Sequence, residues 1–205
     1  QAAHDEPADA PAAAIVAAFG ARGPEVAAFL RRSAASDRRA WADEYGVVRD
    51  ATGLAAERNA LRYRPVPVTV RAAAGAEPAD VARVVLAGLS ARSPLALSLA
   101  APPAPDEKAA LVTVGIDLRV EDEDAWTRRA GSMHDERVRL VGGSAAALLQ
   151  AVGGRPDLTV HDHPVTESGR VEALPFVREQ AIAITAHRFG TPSRIVEAVP
   201  LGAPA

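Results

Sequence analysis

The sequence predicts an α/β fold: a Rossmann-like, mostly parallel sheet, with an N-terminal helical segment before it and a C-terminal β-hairpin or flap after it. Three observations carry this expectation. Short apolar strands recur at 66–71 (VPVTVR), 95–100 (LALSLA), 137–141 (RVRLV) and 157–161 (DLTVH). Helix-patterned stretches separate them, at the spacing parallel strands need for their crossovers. The chain has 205 residues, 48% apolar and 24% charged, enough for one real core.

The elements follow in order. Residues 1–10 are small, acidic and aperiodic, and read as a disordered lead-in. Residues 11–45 read as helical. Pro11 and Pro24 suit first-turn positions, where a missing N–H costs nothing. Ile15, Val16 and Phe19 form one apolar stripe and Val26, Phe29 and Leu30 the next, with Gly20 and Gly23 between. Ser36-Asp37 reads as the cap of a third helix that carries Trp41 and Tyr45. The Rossmann-like unit is expected over 46–163. Its first part, 46–65, has no clear period and reads as an ordered connection. Val66, Val68 and Val70 then share one strand face, with Pro67 near an edge or a start. Glu77-Pro78 opens a helix with Val81, Val84, Val85 and Leu89 inward. Leu95, Leu97 and Leu99 alternate, 101–107 (APPAPDE) is a proline-rich connector, and 111–116 (LVTVGI) reads as a buried strand.

Asp122 to Ala130 reads as a short helix. It has acids in its first turn, Arg128 and Arg129 in its last, and Gly131 behind, an order that complements the helix dipole. Strand 137–141 passes through Gly142-Gly143-Ser144 into an alanine–leucine helix that stops at Gly153-Gly154. From 164 to 192 the pattern changes to a flap and terminal docking segment. Thr166-Glu167-Ser168-Gly169 is a hairpin turn signal, Leu174 to Gln180 fits a helical turn, and 181–186 (AIAITA) is an apolar strand. A small, partly apolar tail covers 193–205.

Composition excludes several function classes. There are 47 alanines against 4% aromatics, so the expected core is aliphatic. One lysine, Lys108, stands against 22 arginines, which reads as codon usage in a GC-rich genome. The net charge of −3 gives no basic excess for nucleic acid or an anionic membrane. The absence of cysteine excludes disulfides, thiolate metal sites and a cysteine nucleophile. No apolar run reaches the ~20 residues of a membrane span, and no secretory signal is visible, so a cytoplasmic protein is expected. Gln1 in place of Met leads us to expect a processed chain or a piece of a longer one.

The strand–Gly142-Gly143-Ser144–helix junction is the best local ligand signal. Glycines let a backbone approach a phosphate, and a helix N-terminus presents free N–H groups. The full G-x-G-x-x-G spacing is missing, and a plain tight turn has the same pattern. His161 and His163 share a strand face, yet no third metal ligand is evident, and a solvated strand end is the better reading. Glu121, Asp122, Glu123 and Asp124 fit helix N-terminal electrostatics better than a cation loop. Ser144, Ser168 and Ser193 lack a G-x-S-x-G elbow. No catalytic residue and no metal site is therefore expected. The most unusual stretch is 174–192, LPFVREQAIAITAHRFGTP. It reads either as a last edge strand packed on its own domain, or as an edge that docks on a partner by strand addition.

That stretch resembles the C-terminal motif of proline utilization A proteins. So do VRLVGGSAAALLQAVGGRPDLTVHDHPVTESGRVEALPF and the connection DATGLAAERNALRYRPVPVTVR, so that the resemblance covers residues 50 to 192. The family's members are bifunctional. An FAD-dependent proline dehydrogenase feeds an NAD-dependent aldehyde dehydrogenase that oxidises glutamate semialdehyde to glutamate. Some carry an extra C-terminal domain of the aldehyde dehydrogenase superfamily, Rossmann-like with a β-flap and without activity, which covers the cavity that the intermediate crosses. The resemblance implies that this chain is such a domain, with no cofactor of its own.

It also implies that the domain packs on the aldehyde dehydrogenase module of the same polypeptide. Ile182, Ile184, His187, Arg188, Phe189, Gly190, Thr191 and Pro192 are the expected contacts. Gly142, Gly143 and Ser144 would be a vestige of the family's phosphate turn. The family's lysine–proline pair after the second strand is replaced here by Ala101-Pro102. Two alternatives remain: a nucleotide-binding module at Gly142-Gly143-Ser144, and a self-association domain that forms a homo-oligomer through its flap.

Overall fold

Five strands lie side by side in one parallel sheet, and a helix makes each crossover. The computed structural model describes residues 10–54, 56–188, 191–192 and 199–200. Its first helices are α1 (Ala10–Gly20) and α2 (Pro24–Ala40), followed by a π-helical turn at Trp41–Tyr45. Strands β1 (Glu57–Pro65) and β2 (Val68–Ala72), helix α3 (Pro78–Ser90), β3 (Leu95–Leu99), α4 (Pro105–Thr113) and β4 (Asp117–Val120) come next. Then follow α5 (Glu123–Ala130), β5 (Glu136–Val141), α6 (Ala145–Ala151), β6 (Leu158–His161) and α7 (Gly169–Glu172). A 3-10 turn at Leu174–Phe176 leads into β7 (Val177–Thr185), and the short strands β8 (His187–Arg188) and β9 (Thr191–Pro192) follow. The sheet order is β4-β3-β2-β5-β6, all parallel, so the Rossmann-like expectation holds.

Strand alternation divides the side chains between two faces. Val68, Val70 and Ala72 of β2, with Leu97 and Leu99 of β3, join a core shared with Ile15, Phe19, Leu30, Val84 and Leu111 of α1 to α4. On the other face Val138, Leu140 and Leu158 meet Trp126 of α5 and Leu148 of α6. Each such fully buried aliphatic side chain contributes about 1.5–3 kcal/mol.

The structure corrects five local readings. The run 111–116 is not a strand. Pro105 opens α4, the Glu107 carboxylate accepts the Ala104 N–H at 3.0 Å, and the strand comes later, at Asp117–Val120. Adjacent parallel strands need that crossover helix, and the need overrides the β-branched residues. Ser36-Asp37 caps no third helix, because α2 runs unbroken through both. The connection 46–65 contains β1. No hairpin turns at Thr166–Gly169, where α7 begins, and Val177–Gln180 is strand rather than helical turn. The flap is instead a two-stranded antiparallel ribbon of β1 and β7, paired from Glu57↔Thr185 to Pro65↔Val177.

Candidate functional site

The strand order puts a topological switch point between β2 and β5, the place where open α/β sheets bind ligands. Gly142 and Gly143 lie there, at the end of β5, with φ of 76° and 80°, a region that glycine enters without strain. The opposing loop is already closed against them. The Ala73 N–H donates to the Val141 carbonyl at 3.0 Å, and a Cβ on Gly142 would stand 3.5 Å from the Ala73 Cβ.

Beneath the turn is a cavity of about 330 Å³, bounded by Arg71, Glu123, Trp126 and Ser144 among others. Arg71 is 1% exposed. It donates to Ser98 Oγ at 2.9 Å, the Glu121 carbonyl at 3.0 Å and the Glu123 carboxylate at 3.0 Å. The Trp126 ring has Arg71 5.4 Å away and Arg129 4.9 Å away. Arg129 and Ser98 also hold the Glu121 carboxyl below its ordinary pKa, chiefly through the Arg129 hydrogen bond. The acids at 121–123 thus serve the fold: Glu121 and Glu123 hold arginines, and Asp122 caps α5 by accepting the Ala125 N–H at 2.8 Å.

A phosphate would need the start of α6, and that start is taken. Ser144 Oγ accepts the Ala147 N–H at 3.4 Å, and the Asp162 carboxylate accepts the Ala145 N–H at 2.8 Å. A second anion would meet this carboxylate instead of free donors. Across the sheet, the cavity at the ends of β2 and β3 measures about 130 Å³. Arg22 and Glu107, paired at 2.5 Å, stand on its wall. Cofactor pockets run roughly 300–1,000 Å³. The cavity across the sheet falls short of that range, and at the switch point the Asp162 carboxylate stands where a phosphate would sit.

His161 and His163 have ring centroids 6.5 Å apart, set edge to face. Burial first, then nearby arginines, lowers the pKa of both. Among the described residues no three His, Cys, Asp or Glu side chains are placed to hold a metal ion. No helix among them is long and apolar enough to cross a membrane.

The flap is the second candidate. Its nine-residue strands make a ribbon roughly 30 Å long at 3.4 Å per residue. One edge of β1 is bridged by Arg49, which exchanges two backbone hydrogen bonds with Leu61. Among the described residues no strand pairs with the outer edge of β7. Ala181, Ala183 and Thr185 are exposed. Ile182 and Ile184 are half-buried, yet neither belongs to the two cores or packs against them. A two-stranded ribbon whose β7 edge is unpaired among the described residues, and whose two half-buried isoleucines lie outside both cores, is marginal in water and calls for cover.

Its base, by contrast, is held by buried charge. Arg83 of α3 forms two 2.8 Å hydrogen bonds to Asp37 of α2 and a third, at 2.7 Å, to the Thr166 carbonyl. Arg139 of β5 donates to Glu172 of α7 at 2.8 Å, and Glu172 also accepts the Thr166 N–H at 3.2 Å. Gly169 donates its N–H to Ser36 Oγ at 2.9 Å. Its missing Cβ is required, since one built there would lie 2.5 Å from the Ser36 carbonyl oxygen. Arg137 donates to the Pro175 carbonyl at 3.2 Å and the Val177 carbonyl at 2.7 Å, at the root of β7. Burial raises the Asp37 pKa to about 6, against the opposing pull of Arg83.

Of the residues singled out in the sequence, Gly142, Gly143 and Ser144 meet at the switch point, and Ile182 and Ile184 share one flap face. His187 is exposed in β8. Arg188 and Thr191 pair through their backbones, as do His187 and Pro192, but the side chains of Arg188, Thr191 and Pro192 lie outside the described residues. So do Phe189, Gly190 and Ser193 altogether. Asp37, Arg83, Arg139 and Glu172 carry no local signal, because their partners are 33 to 46 residues away in sequence.

No protein-family model matches the chain, and no curated protein sequence does. Solved structures do. The chain is similar to proline utilization A from Corynebacterium freiburgense, with 30% identity over 80% of this chain and a TM-score of 0.52. It is also similar to a point variant of proline utilization A from Bradyrhizobium japonicum, with 20% identity over 76% of this chain and a TM-score of 0.51. The chain spans 14% of the first protein and 20% of the second.

Proposed function

We propose that this chain is a non-catalytic covering domain of a bifunctional proline-catabolic enzyme of the proline utilization A type. It packs on the NAD-dependent glutamate semialdehyde dehydrogenase module and closes the cavity through which the intermediate passes. The observation that carries this reading is the 30% identity with a proline utilization A protein, over 80% of this chain but only a small share of that one. The flap supports it: the β7 edge, unpaired among the described residues, and the half-buried Ile182 and Ile184, outside both cores, want a surface to lie on. The switch point supports the absence of chemistry here, since Asp162 holds the start of α6 and the chain has no cysteine nucleophile. FAD and NAD then belong to the other modules.

The physical role is containment. A wall over the cavity keeps the semialdehyde concentrated near the second active site and keeps bulk water out of it. The test is coupled kinetics on the complete enzyme with and without residues 181–205. Proline oxidation should persist, and a lag should appear before NADH forms. Unchanged kinetics, or equal loss of both activities, would count against containment.

A further inference from the structure

The two strands of the flap meet with an electrostatic conflict. Arg64 of β1 stands directly across from Arg178 of β7, and like charges directly opposite destabilise an antiparallel pair. Alternate pairs along the same face are Arg62 with Gln180, Ala60 with Ile182, and Arg58 with Ile184. Among the described residues of the two strands no carboxylate falls on that face, because Glu57 and Glu179 occupy the other one, and Arg58 and Arg62 each have partners. Arg62 donates to Gln180 at 2.8 Å, and Arg58 to the Val199 carbonyl at 2.7 Å. A third guanidinium, Arg137, reaches the flap root. Burial and then Arg178 lower its pKa. Arg64, Arg137 and Arg178 form no ion pair among the described residues. This cationic face stands on a chain whose net charge is −3.

We infer that this face of the flap docks on a carboxylate-bearing protein segment, whose acids supply the counter-charge that Arg64, Arg137 and Arg178 lack. The inference rests on the covering role proposed above and names the chemistry of the surface that is covered. Guanidinium–carboxylate pairs fix orientation through their two-pronged geometry, and Ile182 and Ile184 add apolar contact on the same face. Charge complementarity of this kind also steers the flap to its place and sets its register.

Poly-L-glutamate is the probe for a carboxylate-bearing chain, and inorganic phosphate is the small-anion control. Fluorescence anisotropy at low salt should show poly-L-glutamate bound to the 205-residue chain, with binding that weakens as salt rises. Arg178→Gln should weaken it roughly tenfold, and Arg178→Glu further. Arg128→Gln, at an exposed position of α5, should bind as the unaltered chain does. Arg178→Glu should also raise Tm, because it turns a repulsive cross-strand pair into an attractive one. Absence of binding by the unaltered chain, indifference to Arg178, or an equal loss in Arg128→Gln overturns the inference. Displacement by millimolar phosphate at equal charge would make this a small-anion site and overturn it too. Unchanged coupled kinetics without residues 181–205 would defeat the covering role while leaving these binding results in place, so the two claims fail separately.

Discussion

Replacing Arg83 by methionine should strand the Asp37 carboxylate in the interior. Asp37 is 4% exposed and Arg83 is fully buried, and two 2.8 Å hydrogen bonds join them. Removing one partner of such a pair costs about 3–5 kcal/mol, whereas replacing both by apolar residues of similar volume is often close to neutral. Arg83→Met alone should therefore lose that amount at pH 7. The double variant Asp37→Leu/Arg83→Met should lose much less, retaining mainly the cost of the Thr166 carbonyl left without its 2.7 Å donor, about 1–3 kcal/mol. The pH dependence adds a second constraint.

Burial raises Asp37 from its ordinary 3.8 to about 6. Between those values the folded chain holds a proton that the unfolded chain has released. This residue's contribution therefore falls as pH rises from about 4 to about 6, by about 3 kcal/mol in all, and is level above that. Without Arg83 the carboxyl titrates higher still, so the loss in Arg83→Met should shrink by about 1.4 kcal/mol between pH 7 and pH 5. Urea unfolding at both pH values measures all of this. An equal loss at pH 5 and pH 7, or a double variant as unstable as the sum of the two single ones, would refute the reasoning.

Other expectations follow from single contacts. Gly169→Ala places a Cβ 2.5 Å from the Ser36 carbonyl oxygen and should destabilise by about 1–3 kcal/mol; thermal unfolding checks it. Gly131→Ala is its control. There φ is −63° and the nearest atom is 3.4 Å away, so the change should be neutral or stabilising by up to about 1 kcal/mol. Trp126→Ala should cost about 3–5 kcal/mol, read by urea unfolding, since the ring is 1% exposed and lies between two arginines. Calorimetric titration with NAD at millimolar concentration should show no saturable heat, because Asp162 occupies the start of α6. Saturation with Kd below about 1 mM would contradict the fit at the switch point.

How much of this could be seen in the sequence depended on how far apart the partners lie. The buried strands β2, β3, β5 and β6 announced themselves because each is a short apolar run between helical stretches. Strand β1, ERNALRYRP, did not, for it has no apolar alternation and its partner β7 is more than 110 residues away. The run LVTVGI misled because β-branched residues favour strands locally, while the crossover between β3 and β4 demanded a helix there. Ser36-Asp37 has the composition of a cap, yet those side chains serve α7 and α3. The glycine turn at the switch point was legible as a position. That Asp162 would answer its helix N-terminus was not, since the contact spans 17 residues and a strand.

The covering role is tested most directly at the open edge of β7. Hydrogen exchange of the flap amides, residues 178–185, can be compared between this chain alone and the complete enzyme. The amides facing β1 should be protected in both. Those on the outer edge should exchange freely in the chain alone and become strongly protected in the complete enzyme. Equal and rapid exchange of the outer-edge amides in both would contradict the claim that the flap docks.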